Sequence, residues 1–300
     1  LATTASHVER WRDEPLRSPS APDSFWGGLA YATRGVWERR DLLGLLARRE
    51  LKAKYKDSAL GLLWGLARPL TQLVIYYVVI GQVLGAARAI PQFAIFVFAG
   101  LTAWGIFSES LSASTASIVN NSGLIKKVNL PRQIFPLSAS IGTLFNVGIQ
   151  FGILVLATIV LGQFPLSWNL LLLPLAFAVL WVFSLALGMI LAAVNVYLRD
   201  LTHLVEVLLV ILFWASPIVY SFPFVAQAAG GGWLVEAYLA SPITLGVLGF
   251  EKAMWVAGAD QVWPDMLELR LALALLGSLV LLLVAQRVFT KLEGNFAQEL

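Results

Sequence analysis

Cysteine is absent from the 300-residue chain, and only two histidines occur, His7 and His203. The first absence excludes disulfides, thiol chemistry and cysteine-ligated metal sites. The second leaves too few imidazoles for a histidine-rich centre. Charge is scarce as well: Asp, Glu, Lys and Arg make up 13% of the residues, against roughly 25% in an average soluble domain. Also missing are the G-x-x-x-x-G-K-[ST] phosphate loop, the H-E-x-x-H metal helix and any plausible Ser–His–Asp set. The sequence therefore offers no catalytic residues, no metal ligands and no cofactor site of its own. The formal net charge of +3 carries no nucleic-acid signal, because the basic residues gather at the flanks of apolar runs and not on one soluble patch.

What is abundant is apolar. Hydrophobic residues make up 58% of the chain, and the mean hydropathy is +0.77. Several runs reach the roughly 18–20 residues that cross about 30 Å of hydrocarbon. The pattern predicts an all-α, polytopic membrane protein with six spans, at about 60–84, 92–112, 134–161, 170–197, 204–220 and 267–288. Of the 21 Lys and Arg residues, about 17 fall on one side of that layout, with Arg88, Lys252 and Arg270 on the other and Arg68 inside the first span. By the positive-inside rule the richer side is cytoplasmic, and both termini lie there.

Four segments stand apart from the spans. Residues 1–24 hold Pro15, Pro19 and Pro22 with no apolar stretch of signal-peptide type, and read as a flexible tail. In 25–57, Arg39, Arg40, Arg48, Arg49, Lys52, Lys54 and Lys56 alternate with leucines. This is either simple flanking charge or an amphipathic helix with Trp37 and the leucines dipping into lipid. Residues 117–136, SIVNNSGLIKKVNLPRQIFP, form a polar and basic island between spans two and three. Residues 221–264 are too long for a plain turn. Their pieces 234–239 and 242–255 read as re-entrant or interfacial helices at the outer side, where a gate would sit.

Charge inside hydrocarbon is costly, which singles out Arg68 and Glu109. Either they pair across neighbouring helices, or Arg68 faces a pathway and meets an anionic group such as phosphate. Arg68 precedes Pro69, where a kink is expected. The outside acids Glu236, Glu251, Asp260, Asp265 and Glu268 are dispersed through one segment, which disfavours a carboxylate-based membrane enzyme. Of the many aromatics within spans, most read as packing or lipid-facing residues. Tyr76, Phe93, Phe96, Trp104, Trp214 and Tyr220 are candidates to line a pathway, where ring faces meet the C–H faces of sugars.

From about Arg40 onward the chain resembles a known family. The likeness rests on RDLLGLLARRELKAKYKDSALGLLWGLARPL, NNSGLIKKVNLPRQIFPL, YLRDL followed by WASPIVY, LASPIT, and the tail FTKLEGNFAQEL. These motifs, in this order, resemble the permease subunits of ABC-2 type exporters (type V ABC fold). Within that family they are similar to the polysaccharide group serving O-antigen, capsule and teichoic acid, and to the galactan-exporting permeases of mycobacteria. The Pro-rich start and the Arg before Pro69 fall outside the family pattern.

The resemblance implies a homodimer paired with two copies of a separate ATPase subunit, which carries the ATP and Mg. It implies a bacterial cytoplasmic membrane location and a polyprenyl-diphosphate-linked glycan as cargo. Residues 58–290 become the transmembrane domain, 291–300 a cytoplasmic tail, about 117–128 a coupling helix and about 221–257 outer gate helices. Asn120, Asn121, Leu124, Ile125, Lys126 and Lys127 become ATPase-docking residues. Arg39, Arg40, Arg48 and Arg49 become the entrance for the lipid pyrophosphate. Rival expectations are an ABC-2 exporter of drugs or small lipids, and a membrane-embedded lipid-modifying enzyme.

Overall fold

A computed structural model describes residues 37–55, 63–127 and 130–300. The expected tail 1–24, the start of the interface segment and Lys56 lie outside the described residues, as do the side chains of Lys52, Lys54 and Arg68. Every regular element described is helical. In chain order these are α1 (Arg40–Tyr55), α2 (Leu63–Ile75) running on as a π-helix (Tyr76–Val83), α3 (Ala86–Ala89), α4 (Phe93–Asn120) and α5 (Ser122–Ile125). There follow α6 (Ile134–Val160), a 3-10 turn (Trp168–Leu171) leading into α7 (Leu172–Asn195), and α8 (Leu201–Ala215). The chain closes with α9 (Phe222–Ala228), α10 (Trp233–Leu239), α11 (Pro242–Met254), α12 (Leu267–Leu292) and α13 (Phe296–Glu299).

Among the described residues, four helices are long and apolar enough to cross a bilayer: Phe93–Asn120, Ile134–Val160, Trp168–Asn195 and Leu267–Asn295. The apolar part of the first expected span, Pro69–Val83, and α8 are shorter. The 15 residues of α8 rise only about 22 Å, less than the hydrocarbon thickness. Helices α10 and α11 form a pair bent by 80°. Two boundaries move relative to the sequence reading. Helix α4 continues to Asn120 instead of ending near residue 112, and α9 is an additional outer helix.

Pro69 sits inside α2, but the departure from α geometry comes later, in Tyr76–Val83. There the Leu84 amide reaches back to the Val79 carbonyl at 2.9 Å. The local cause is close packing at Gly81, where a Cβ would stand 2.8 Å from the Phe93 ring. Widening the turn by one residue fits the backbone against that ring.

Helix α4 is the axis of the bundle, with α6 and α7 packed along it and α11 against its first half. Phe96, Phe98, Ile106 and Phe107 are fully buried on it. Its buried hydroxyl residues, Thr102, Ser110, Ser114, Thr115 and Ser117, each have a hydrogen-bond partner. Thr102 and Thr115 donate to carbonyls one turn back, at 2.7 and 2.8 Å. Ser110 and Ser140 meet at 2.5 Å, Ser140 also accepts from the Trp181 indole at 2.8 Å, and Ser114 donates to the Pro136 carbonyl at 3.1 Å. Small hydroxyl side chains let apolar helices approach while keeping every polar group paired.

Helix α11 reaches α7 by the same economy of volume. A Cβ at Gly246 would lie 2.4 Å from Leu180, and one at Gly249 would lie 2.7 Å from Ala176. Leu180 is fully buried and has no space to yield. Gly246→Ala is therefore expected to destabilise by about 1–3 kcal/mol, as overpacked cores do. Gly277→Ala, where nothing lies within 4 Å, should be neutral or slightly stabilising. Thermal unfolding of the two variants in detergent makes the comparison.

Candidate functional site

The island folds as a short corner. Helix α4 stops at Asn120, Asn121 turns the chain, and α5 follows for four residues. Asn121 is buried; its amide donates to the Ser117 carbonyl at 2.9 Å, and its side-chain oxygen accepts from the Arg49 guanidinium. Ile125 is buried and Leu124 half-buried in a second core, shared with Ile118, Ile134, Phe135 and Leu46. Asn120, Lys126 and Lys127 are exposed. The six expected docking residues thus divide by role: Asn121, Ile125 and in part Leu124 hold the corner from inside, and Asn120, Lys126 and Lys127 form its outer surface.

Helix α1 lies across the start of α6, close enough that a Cβ at Gly142 would touch Glu50 at 3.5 Å. Leu46 and Ala47 are buried and Leu42 and Leu43 pack partly against the same core. Of the leucines expected to dip into lipid, Leu46 is covered by the chain's own core and Leu42 and Leu43 partly so, while Leu45 is 61% exposed. Trp37 is 70% exposed, with the Arg40 guanidinium 5.7 Å from its ring. The four entrance arginines do not converge either. Arg40 and Arg48 are two turns apart, about 12 Å along the axis. Arg49 is held by Asn121 and, at 3.1 Å, by Glu50. Through Arg49, α1 is tied to the first residue of the corner.

The C-terminal segment is folded back under the bundle at this same end. Phe296 is fully buried against Phe289 and Tyr197, and Arg132 stacks over its ring at 5.7 Å. Tyr197 donates to the Leu292 carbonyl at 2.8 Å, and Gln133 donates to Thr290 at 2.9 Å. The motif quoted as a tail is thus a brace that joins the exit of the island to the turn between α7 and α8.

Glu109 sits on α4 facing α6, where Asn146 donates to it at 2.8 Å and Gln150 at 3.4 Å. The expected pairing with Arg68 involves a side chain outside the described residues. Two amides from the neighbouring helix were not part of the sequence reading, although Asn146 and Gln150 lie one turn apart on one face of α6.

The six aromatic candidates separate cleanly. Phe93 and Phe96 are 2% and 1% exposed, so they are core residues and not pathway lining. Phe96 packs on Trp255 at 4.9 Å. Tyr76 stacks on Phe213 at 5.7 Å, Trp104 meets the same ring edge-on at 5.6 Å, and Phe213 touches Trp214 at 5.5 Å. Tyr220 donates to the Trp214 carbonyl at 2.9 Å. Tyr76, Trp104, Trp214 and Tyr220 therefore form one band that joins α2, α4 and α8, with Phe213 at its middle. Phe213 was missed because nothing in its local sequence separates it from other apolar residues of its helix.

At the opposite end the dispersed acids acquire different fates. Glu236 takes both arms of the Arg270 guanidinium, at 2.8 and 3.0 Å, and Glu268 pairs with Lys252 at 2.9 Å. Asp260 and Asp265 are exposed. Glu251 is 1% exposed, and its Oε1 has no hydrogen-bond partner among the described residues; the same holds for the buried hydroxyl of Tyr238. Gly100 faces the carboxyl, and a Cβ there would stand 3.2 Å from Oε1. The helical period of Ile243, Val247, Phe250 and Met254 runs through Glu251, and would have placed it inside. Among the described residues no group of three or more Asp, Glu or His is placed to hold a metal ion.

Comparison with known proteins agrees with this architecture. The ABC-2 type transporter family matches residues 41–255. The O-antigen export system permease protein RfbA of Myxococcus xanthus is 31% identical over 267 residues, covering 89% of this chain and 98% of that protein. The protein of the same name from Klebsiella pneumoniae is 27% identical, covering 86% and 94%. The polysialic acid transport protein KpsM of Escherichia coli is 26% identical over 57% of this chain and 67% of its own length. The match begins at α1 and takes in the corner, the aromatic band and the bent helix pair, so the chain is a membrane permease of the ABC-2 type transporter family.

Proposed function

We propose that this chain is the transmembrane subunit of an ATP-driven exporter that moves a polyprenyl-diphosphate-linked polysaccharide across the bacterial cytoplasmic membrane. The observation that carries the reading is the near full-length likeness to the Myxococcus permease, whose printed name is that of an O-antigen export protein. Two copies of the chain pair, each with an ATPase subunit that supplies ATP hydrolysis. The corner with Asn120, Lys126 and Lys127 faces the cytoplasm and docks in that subunit. Both termini lie on the same side, and α2 and α8 complete six spans.

Several features support this arrangement. Helix α8 presents Leu204, Val207, Val210, Ile211 and Trp214 outward, and the α2 segment presents Val74, Val78 and Val79. The Tyr76–Phe213 stack holds these two short helices together. A second copy meeting this side would place the aromatic band along the seam, where ring faces give a sugar polymer weak, repeated contacts. Because ATPase closure pushes on the corner, Arg49 and Asn121 carry that push to α1. The spread of the arginines on α1 suits successive contacts with a mobile lipid pyrophosphate better than one fixed cradle.

Depleting the chain in its host tests the reading. The expected result is lipid-linked glycan accumulating inside the cell and polysaccharide disappearing from the surface. Unchanged surface polysaccharide, with a small amphiphile retained instead, would favour the drug or lipid exporter. Turnover of a lipid substrate by the purified chain without any ATPase would sink both.

A further inference from the structure

We propose that the end of the bundle opposite the island carries a binding pocket for one neutral sugar ring of the emerging glycan. The proposal rests on the polysaccharide reading above and adds a site to it. The pocket lies between the connection that precedes α7 and the end of α11, and has a volume of about 250 Å³. Pockets for drug-sized ligands run to roughly 300–1,000 Å³, so this one suits a single ring better than a lipid or a whole oligosaccharide.

Three aromatic rings stand in its wall, and two of them are fixed. Phe164, Trp255 and Trp263 line it. The Trp255 indole donates to the Pro91 carbonyl at 2.7 Å, and the Trp263 indole donates to the Gly258 carbonyl at 3.1 Å. Both N–H groups are spent on backbone, so the rings serve as rigid apolar surfaces and not as donors. The two indoles meet edge-on at 6.2 Å. Gly258 presses against Trp255 so closely that a Cβ there would fall 2.1 Å from the ring. Rings held in this way lose no rotamer freedom when a ligand arrives.

The polar groups define the ligand's charge. Ser167, Asn169 and Lys252 are the polar side chains of the lining, beside the apolar Leu166, Ala253, Val256 and Ala259. The Lys252 ammonium is neutralised by Glu268 at 2.9 Å, which removes the free cation that a phosphate or carboxylate would need. The Ser167 hydroxyl and the half-buried Asn169 amide make no hydrogen bond to other described residues. A hydroxyl both donates and accepts, and an amide offers two donors and an acceptor. Apolar ring faces beside open groups of both kinds, with no net charge, complement a polyhydroxylated neutral ring.

The test uses the full chain in lipid nanodiscs and the methyl glycosides of galactose, glucose, rhamnose and N-acetylglucosamine, with binding read by saturation-transfer NMR. At least one glycoside is expected to bind saturably in the millimolar range. Asn169→Ala, which removes no side-chain hydrogen bond to the described residues, and Trp263→Ala should each weaken that binding by about tenfold or more, equivalent to about 1.4 kcal/mol. Trp168→Ala, beside the pocket but 87% exposed and not part of its lining, should leave binding unchanged. Failure of all four glycosides to bind, or binding unaltered in Asn169→Ala, overturns the proposal. Tighter binding of glycerol phosphate than of any glycoside also overturns it, in favour of an anion site. Surface polysaccharide after depletion of the chain is measured in parallel. If it is lost while no glycoside binds, the pocket alone is wrong; if it is retained, the exporter reading is wrong whatever the pocket binds.

Discussion

Replacing both Lys126 and Lys127 with Glu is expected to abolish co-purification of the ATPase partner and ATP-coupled export, while the chain still inserts and folds. The two lysines are exposed at the tip of the corner, and the residues that hold the corner together, Asn121 and Ile125, point inward. Reversing two charges at a docking surface adds repulsion as well as deleting attraction, so the loss should be complete and not graded. Single Lys→Ala changes should weaken association mildly and increase its salt sensitivity. Retained pull-down together with retained export in the double variant would remove the docking assignment. Loss of export with docking intact would mean that the corner transmits closure without contributing to affinity.

Glu251→Met is expected to raise the thermal stability of the chain, and Glu251→Lys to prevent its accumulation in the membrane. The carboxyl of Glu251 is buried with one oxygen unpartnered, and an unsatisfied buried polar atom costs about 1–3 kcal/mol. Met keeps the unbranched length and removes the penalty, so a gain of that order should appear in detergent melts. Lys adds a charge at a packed site, where a Cβ built on Gly100 would stand 3.2 Å from both Glu251 Oε1 and Ile218. If the Met variant melts as low as the Lys variant, packing and not the orphaned oxygen governs the site. Stability gained together with export lost would assign Glu251 to the working cycle, since a residue kept at a cost in stability is kept for function.

What was legible in the sequence followed from local rules. Apolar length marked the long helices, charge asymmetry marked the ends, and Pro242 after Ser241 marked the start of α11, where the Ser241 hydroxyl does accept from the Thr244 amide at 3.4 Å. The island was visible because a run of polar residues between two greasy stretches has no other explanation. The order of its motifs was enough to point to the family.

Partners across the bundle were not legible. Phe93 and Phe96 looked like pathway aromatics, and Phe213 did not, because one helix in isolation does not tell which side meets another. The fate of these acids was hidden for the same reason: Glu236 and Glu268 find cations 34 and 16 residues away in sequence, and Glu251 Oε1 finds no partner among the described residues. Asn121 looked like a docking residue until Arg49, 72 residues earlier, was seen to occupy it. By itself the sequence determined that this is a helical membrane protein with one basic corner, because hydrophobic length and charge placement act residue by residue. The tertiary structure decided which side chains of that corner face outward, which aromatics share a band and where a rigid-walled pocket forms, because those depend on contacts between segments far apart in the chain.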